Sequence, residues 1–417
     1  MRILFVPYYY YMQYAPFQSA AEALAKDGHE ARLLYIPGIS ERDEGDTYHP
    51  EKFRLDGVPF EEFDLVRFSS RWARALRPLS QLAQFLINKR RLRRFLAKRP
   101  PDAVVIASHL GGIYIRLIQL LCDRLRIPIV SMWIIPVTVG REKRSLLSRL
   151  PSFFGVRDVL RWTPANKHVR NHLFVASGQV LKEHLETLGI DGRQIRITGN
   201  PVHDLFQRDL AAPRDELRRT IVKERELQPE DRYVLLLTET IQKVLGWDYL
   251  RSLTNDLRAI FEKLPAGIKV IVKFHPREPM DAQIHFQDVF RGSRYRFCRD
   301  AELVPLLRCA DLAIAHFSGA LETALALGTP SLGINFTQRQ DLSLFRESSM
   351  LLEAHSAQAL EEKVLACLSD SSFRDRMAEA RDLWLRENTC ALDGQNSRRM
   401  AEAIVQHIER SPRRFRS

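Results

Sequence analysis

Cysteine is scarce and poorly placed for cross-linking. The chain has five, Cys122, Cys298, Cys309, Cys367 and Cys390, an odd number with no CxxC pair. That argues against a disulfide framework and a structural zinc site, and fits a reducing, cytoplasmic setting. Long apolar runs are missing too. The nearest approach, "IPIVSMWIIPVTVG", has 14 residues and two prolines, short of the roughly 18–20 that a membrane span requires. The opening "MRILFVPYYYY" lacks the basic start and small-residue cleavage site of a signal peptide and reads as a first strand. Both glycine-rich phosphate loops are absent: no GxGxxG follows that strand, and no P-loop pattern occurs. This weighs against a dinucleotide site in the N-terminal half and against NTP hydrolysis.

Acidic residues are missing from one stretch. Of a formal net charge of +12, nearly all traces to Arg67–Pro101, which holds eleven Lys or Arg and no Asp or Glu. Leu79, Leu82, Leu86, Leu92 and Phe95 recur there at helical spacing, so residues 71–99 read as basic amphipathic helix. Such a helix can lie peripherally on an anionic membrane, each cation contributing roughly 1 kcal/mol; the plainer reading is a packed helix with a solvated cationic face. Nucleic acid is not expected as a partner, because neither aromatic-interleaved basic platforms nor zinc-finger spacing accompany the charge.

What is present is an alternation. A chain of 417 residues, 45% hydrophobic and 27% charged, is globular and long enough for two domains. Short apolar runs ("RILFV", "AVVIA", "IPIVS", "HLFVA", "IRITG", then "RYVLLLT", "IKVIVKF", "YRFCR", "DLAIAH", "PSLGI") alternate with helical stretches such as 16–27, 111–125, 178–188, 247–263, 302–309 and 319–327. That is the signature of parallel sheets. Pro16 is expected near the start of the first helix and Gly28 just past its end. A polar stretch, 203–230, reads as a junction with one helix. The predicted fold class is α/β, two Rossmann-like domains facing each other across a cleft. The expected domains are residues 1–202 and 203–417, with the last helix packing back on the first domain.

In open parallel sheets ligands bind beyond the carboxyl ends of strands. Three strand ends in the C-terminal half carry polar groups suited to that place. After "DLAIAH", Ser318 and Gly319 open a helix whose free N–H groups and dipole favour an anion. Glu322, one turn in, can accept hydrogen bonds from vicinal ribose hydroxyls. "VKFHPRE" puts Lys273 and His275 at a second strand end, where they can donate to a departing diphosphate in place of a metal. Thr238 and Glu239 close "YVLLLTE". Each also has a plain structural reading, as an N-cap or a solvated strand terminus. Gly199-Asn200-Pro201 reads as a structural crossover turn.

These residues, in this order, resemble the GT-B superfamily, in the branch that joins non-hydrolysing UDP-N-acetylglucosamine 2-epimerases to surface and capsular polysaccharide glycosyltransferases. The resemblance runs through "APFQSAAEALAKDGHEARLL", "HLFVASGQVLKEHLETLGIDGRQIRITGNPVHD", "FHP", "HFSGALETALALGTPSLGI" and "DGQNSRRMAEAI". It implies a nucleotide-sugar site in the C-terminal domain, with His275 by the phosphates, Ser318 and Gly319 on the diphosphate and Glu322 on the ribose. The departures lie in the N-terminal half. "PYYYYMQY" replaces a Gly-Thr-Arg-Pro-Glu type loop, "SHLGG" keeps His109 but has Gly111 where the epimerases carry an acid, and "SMWII" replaces their His-x-Glu. Epimerisation by elimination needs acid–base groups there, so the expectation is group transfer.

The reading is a metal-independent, inverting glycosyltransferase without a cofactor. It takes a nucleotide-sugar donor, UDP-activated before CMP-activated, and a lipid-linked or polysaccharide acceptor of the bacterial envelope. His109 is one candidate base. Asp43 and Glu44, in "RDEGD", match an acid-acid-Gly element that accompanies His-Pro in sialyltransferases. The alternatives are a 2-epimerase, a CDP-activated polyol-phosphate transferase, and a non-catalytic nucleotide-sugar-binding protein.

Overall fold

The computed structural model describes residues 1–6, 11–36, 58–66, 77–106, 113–133, 172–210, 213–276, 278–337, 339, 343, 345 and 347–411. Two compact units divide them. One holds the residues up to Asp204 together with those from Asn388 onward; the other runs from Leu205 to Glu387.

In the first unit β1 (Arg2–Val6) leads to α1 (Tyr11–Lys26), β2 (Glu30–Tyr35), β3 (Phe60–Glu62), α2 (Arg77–Lys98), β4 (Ala103–Ile106) and α3 (Ile113–Arg124). Then come β5 (Ile129–Trp133), β6 (His172–Ala176), α4 (Gln179–Thr187), β7 (Ile195–Ile197) and α5 (Val202–Leu210), within which the chain leaves this unit. The sheet order is β3-β2-β1-β4-β5-β6-β7, all parallel. The second unit has α6 (Arg214–Glu224), β8 (Arg232–Leu237), α7 (Ile241–Leu245), α8 (Trp247–Glu262), β9 (Ile268–Lys273), α9 (Met280–Val289) and β10 (Tyr295–Cys298). It continues with α10 (Leu303–Cys309), β11 (Leu312–Ala315), α11 (Gly319–Ala326), β12 (Ser331–Ile334), β13 (Glu353–Ala354), α12 (Ala357–Ser369) and α13 (Ser371–Asn388). Its order is β10-β9-β8-β11-β12-β13, again all parallel. Both sheets are therefore Rossmann-like, with the order reversing between β1 and β4 in one and between β8 and β11 in the other.

The strands are apolar on both faces because helices cover both. Leu4 and Val6 of β1 pack with Phe85, Leu92 and Leu96 of α2. Ile3 and Phe5 point the other way, into a cluster with Phe17 and Leu24 of α1. In β8, Val234 and Leu236 face one cluster and Tyr233, Leu235 and Leu237 the other. The basic stretch becomes α2, and Phe85, Leu92 and Leu96 of its apolar stripe enter the core, with Leu86 and Phe95 packed against it. Fully buried Asn88 ties it down by exchanging two hydrogen bonds with the Val66 backbone. Arg90, Arg93, Arg94 and Lys98 stay on the exposed side.

Two sequence expectations change. The first helix begins at Tyr11, so Pro16 lies in its second turn, where it forgoes one intrahelical bond. The junction after residue 202 carries two helices, α5 and α6, because Pro213, just before α6, restarts the helix.

The last helix, α14 (Asn396–Arg410), belongs to the first unit. Met400, Ala401 and Ile404 enter the core beside α1. Its N-terminus is capped from far away in sequence: the Asp204 carboxylate accepts the N–H groups of Asn396 (3.0 Å) and Ser397 (2.6 Å). Arg399, held by Asp393 (2.8 Å), reaches the Thr198 carbonyl (3.3 Å). Two glycines permit the fit. Gly199 has φ +83°, and a Cβ there would meet the Asn396 side chain; a Cβ on Gly178 would sit 2.2 Å from the Asn388 carbonyl carbon. Asp204→Ala should lower stability by about 1–2 kcal/mol, the usual cost of a lost helix cap, and Gly178→Ala by more, since backbone cannot give way as a side chain does. Urea midpoints at neutral pH measure both; an unchanged midpoint for Asp204→Ala would show the cap to be idle.

Candidate functional site

The switch point of the second sheet is fully described, and three strand ends meet there. Register places Lys273 beside Leu237, and Leu237 beside Ala315, with neighbouring strands about 4.8 Å apart. Thr238 and Glu239 thus leave β8 between the chain leaving β9 (Phe274, His275) and the chain leaving β11 (His316, Phe317, Ser318).

Thr238, 4% exposed, is the hub. Its Oγ1 accepts the His275 backbone N–H (3.0 Å) and donates to Glu278 Oε2 (2.8 Å). The geometry follows from "HPRE": Glu278 N–H donates to the His275 carbonyl (2.8 Å), closing a four-residue turn with Pro276 second, the position its fixed φ suits. The turn carries Glu278 back beneath the strand ends, where it is 2% exposed. Burial pushes its carboxyl up to about 7, against the hydrogen bond from Thr238 that lowers it. Gln283 Nε2 donates to the Glu278 carbonyl (2.7 Å) and fixes the start of α9. Lys273 points to the outer strand: its Nζ donates to the Arg299 carbonyl (2.9 Å), and Arg299 Nη2 in turn donates to the Pro276 carbonyl (2.8 Å). Burial lowers its pKa. Together these bonds hold the His275 turn from both sides.

On β11, Ser318 caps α11, its Oγ accepting the Ala320 N–H (3.2 Å). Gly319 is the first helical residue, and Glu322 stands half-exposed in the first turn. His316, 3% exposed, precedes the cap by two residues. Its Nε2 is 2.7 Å from the Tyr249 hydroxyl of α8, and burial drops its pKa to about 4. The carboxyl end of β12 follows with Asn335, whose Nδ2 donates to the Arg339 carbonyl (3.0 Å) and whose Oδ1 accepts the Thr337 hydroxyl (2.8 Å).

So Thr238, Glu239, Lys273, His275, Ser318, Gly319 and Glu322 share one rim, with Thr238 and His275 in direct contact. His109, Asp43 and Glu44 lie outside the described residues. No group of three or more His, Cys, Asp or Glu poised for a metal ion occurs among the described residues. Sequence reasoning missed Glu278 and the His316–Tyr249 pair. A Glu two residues past His-Pro, at the close of a turn, was a usable signal for the first; nothing in sequence ties Tyr249 to His316. The rim can seat an anion at the N–H groups that open α11, with no fixed positive charge at its centre among the described residues.

Comparison with known proteins agrees with this layout. Two Rossmann-like sheets in this order, each covered by helices, make the GT-B fold of nucleotide-sugar enzymes. Over 97% of this chain it superposes on all of the UDP-GlcNAc 2-epimerase from Neisseria meningitidis bound to UDP-GlcNAc (14% identity, TM-score 0.62). The UDP-GlcNAc 2-epimerase from Methanocaldococcus jannaschii gives the same coverage (15% identity, TM-score 0.61). A glycosyltransferase from Rickettsia africae is matched over 98% of both chains (11% identity, TM-score 0.59). Residues 167–404 match the family described as UDP-N-acetylglucosamine 2-epimerase, and residues 16–201 a glycosyl transferase 4-like domain. The chain belongs to the UDP-N-acetylglucosamine 2-epimerase family. No curated protein sequence matches it.

The buried carboxyl gives a pH test. Unfolded, Glu278 titrates near its ordinary 4.5; folded, near 7. Between those values the folded state holds the proton more tightly, so stability falls as pH rises and the deficit is complete above about 7. Glu278→Gln keeps an acceptor for Thr238 and removes the charge. Its urea midpoint relative to wild type should improve between pH 4 and pH 8.5, by up to about 3 kcal/mol. An equal difference at both pH values would mean the carboxyl titrates normally.

Proposed function

We propose that the protein is a glycosyltransferase that binds the nucleotide of a UDP-sugar on the second sheet's carboxyl rim and passes the sugar to an acceptor held by the first unit. The observation that carries this is the division of the family matches. The half bearing the rim matches the epimerase family, whereas residues 16–201 match a glycosyltransferase domain. That N-terminal half is also where epimerase-like acid–base groups are replaced, by "PYYYYMQY", "SHLGG" and "SMWII".

In this reading the N–H groups of Ser318 and Gly319 hold the diphosphate, Glu322 the ribose, and Thr238, Glu239 and His275 line the adjoining rim, with Lys273 bracing the turn. The acceptor hydroxyl forms its bond to the anomeric carbon as the bond from that carbon to the diphosphate oxygen breaks. His109, or Asp43 or Glu44, takes the hydroxyl proton, and the donors on the rim stabilise the departing diphosphate. No metal or cofactor is needed for this balance. The exposed cations of α2 fit an anionic surface at which a lipid-linked or polysaccharide acceptor is met, an electrostatic contact. No described helix is long and apolar enough to cross a membrane.

A 2-epimerase is the second reading, favoured by the family match over 167–404. UDP-GlcNAc incubated with the protein alone separates the two. Transfer predicts no epimer and UDP release that depends on added envelope glycan or glycolipid; accumulating epimer without acceptor establishes the second reading. Calorimetry with UDP, CMP and CDP names the donor class. Ser318→Leu and Glu322→Ala should each weaken the preferred nucleotide at least tenfold while leaving the fold intact. Full affinity in both would remove this rim from the reaction.

A further inference from the structure

The His316 ring is fixed in orientation and incompletely used. It is 97% buried at the switch point, two residues before the cap of α11, yet its Nδ1 finds no hydrogen-bond partner among the described residues. Buried polar atoms without partners are uncommon and cost about 1–3 kcal/mol each.

The Tyr249 oxygen is 2.7 Å from His316 Nε2. Tyr249 has one proton, and when its hydroxyl donates to Nε2 the ring proton is on Nδ1. Phe317 and Tyr249 pack edge-on against the imidazole, at 4.6 and 5.6 Å between ring centroids, and hold its plane. In that tautomer the Tyr249–His316 pair ends in a neutral N–H donor two residues before the cap of α11. Burial keeps the ring uncharged at neutral pH, so the donor carries no counter-ion and keeps its proton across the working range.

We propose that His316 Nδ1–H is a direct donor to an oxygen of the nucleoside diphosphate seated at the start of α11, with Tyr249 as the positioning residue that sets its tautomer. This rests on the nucleotide-site reading above and adds a neutral, oriented hydrogen bond to the N–H groups of Ser318 and Gly319. Among the described residues the rim has no central cation, so this donor would meet part of a dianion's charge with a dipole.

Side-chain geometry supplies the test, because an asparagine amide nitrogen falls near Nδ1 of histidine and a glutamine amide nitrogen near Nε2. UDP affinity of the full chain is measured by calorimetry for wild type, His316→Asn, His316→Gln, His316→Leu and Tyr249→Phe, with thermal melts to verify folding. His316→Asn should stay within about threefold of wild type, and His316→Gln and His316→Leu should lose about tenfold. Tyr249→Phe should fall between them. A readout that a structural role would not move is the 15N spectrum of labelled histidine: the Nδ1–H tautomer in the free protein, with Nδ1 shifting on UDP addition. Wild-type affinity in folded His316→Leu, while Ser318→Leu abolishes binding, overturns the His316 contact and leaves the site standing. No UDP binding by wild type overturns both.

Discussion

One carboxylate joins the two ends of the excursion that the chain makes into its second unit. Asp204 sits in the first turn of α5, just before the chain leaves the first unit, and it caps the helix that starts just after the chain has come back. Two charge-assisted bonds at an N-terminus are stronger than neutral ones and act on a helix dipole of the right sign. Around them the fit tolerates nothing extra: Gly178 and Gly199 have no room for a methyl group. Because of this clasp, α14 can lay Met400 and Ile404 into the core beside Phe5 and Phe17, and the first sheet is covered on that face.

The second sheet's rim depends on a different economy of charge. Its buried ionisable groups are pushed towards their neutral forms or turned aside: Glu278 and His316 by burial, and Lys273 by being aimed at the Arg299 carbonyl. Among the described residues, what the switch point offers is the capped start of α11, braced by a Thr238 hydroxyl and a His275 N–H that are spent on Glu278 and on Thr238. Preorganised dipoles need no counter-ion and do not reorganise when charge develops beside them. On the reading proposed above, such dipoles are what the departing diphosphate would meet.

Much of this was legible in the sequence. Strands buried on both faces read as unbroken apolar runs, so β1, β4, β6, β8, β9 and β11 were plain, and with them the strand ends and the Ser318 cap. The strands that escaped notice are those whose burial depends on partners. In β2, "EARLLY", Arg32 is 5% exposed and pairs with Glu61 of β3 and with Glu30, so the run looks mixed until the sheet exists. The strands β3 and β13 are short edges of three and two residues. The cationic stretch was recognised as a helix, but not that its leucines serve the core. At the site, a turn such as His275–Glu278 can be read locally, whereas the Tyr249–His316 bond joins residues 67 apart and has no local trace. The crossover at Gly199 read as structural from sequence, although its reason, the Asn396 side chain arriving from 197 positions further on, is tertiary.

The clasp also sets an order of events during synthesis. Asp204 emerges from a ribosome long before Asn396, 192 residues later. The whole of the second unit, Leu205 to Glu387, is made in that interval and can close its own core first, as domains do when they fold as units. Until α14 arrives, the first sheet waits with one face incompletely covered, and Ile3, Phe5 and Val105 without the Met400 and Ile404 side chains that complete their cluster. At roughly 5–20 residues per second that wait lasts on the order of ten seconds or more. The part of the protein that is translated first is therefore the part that is finished last.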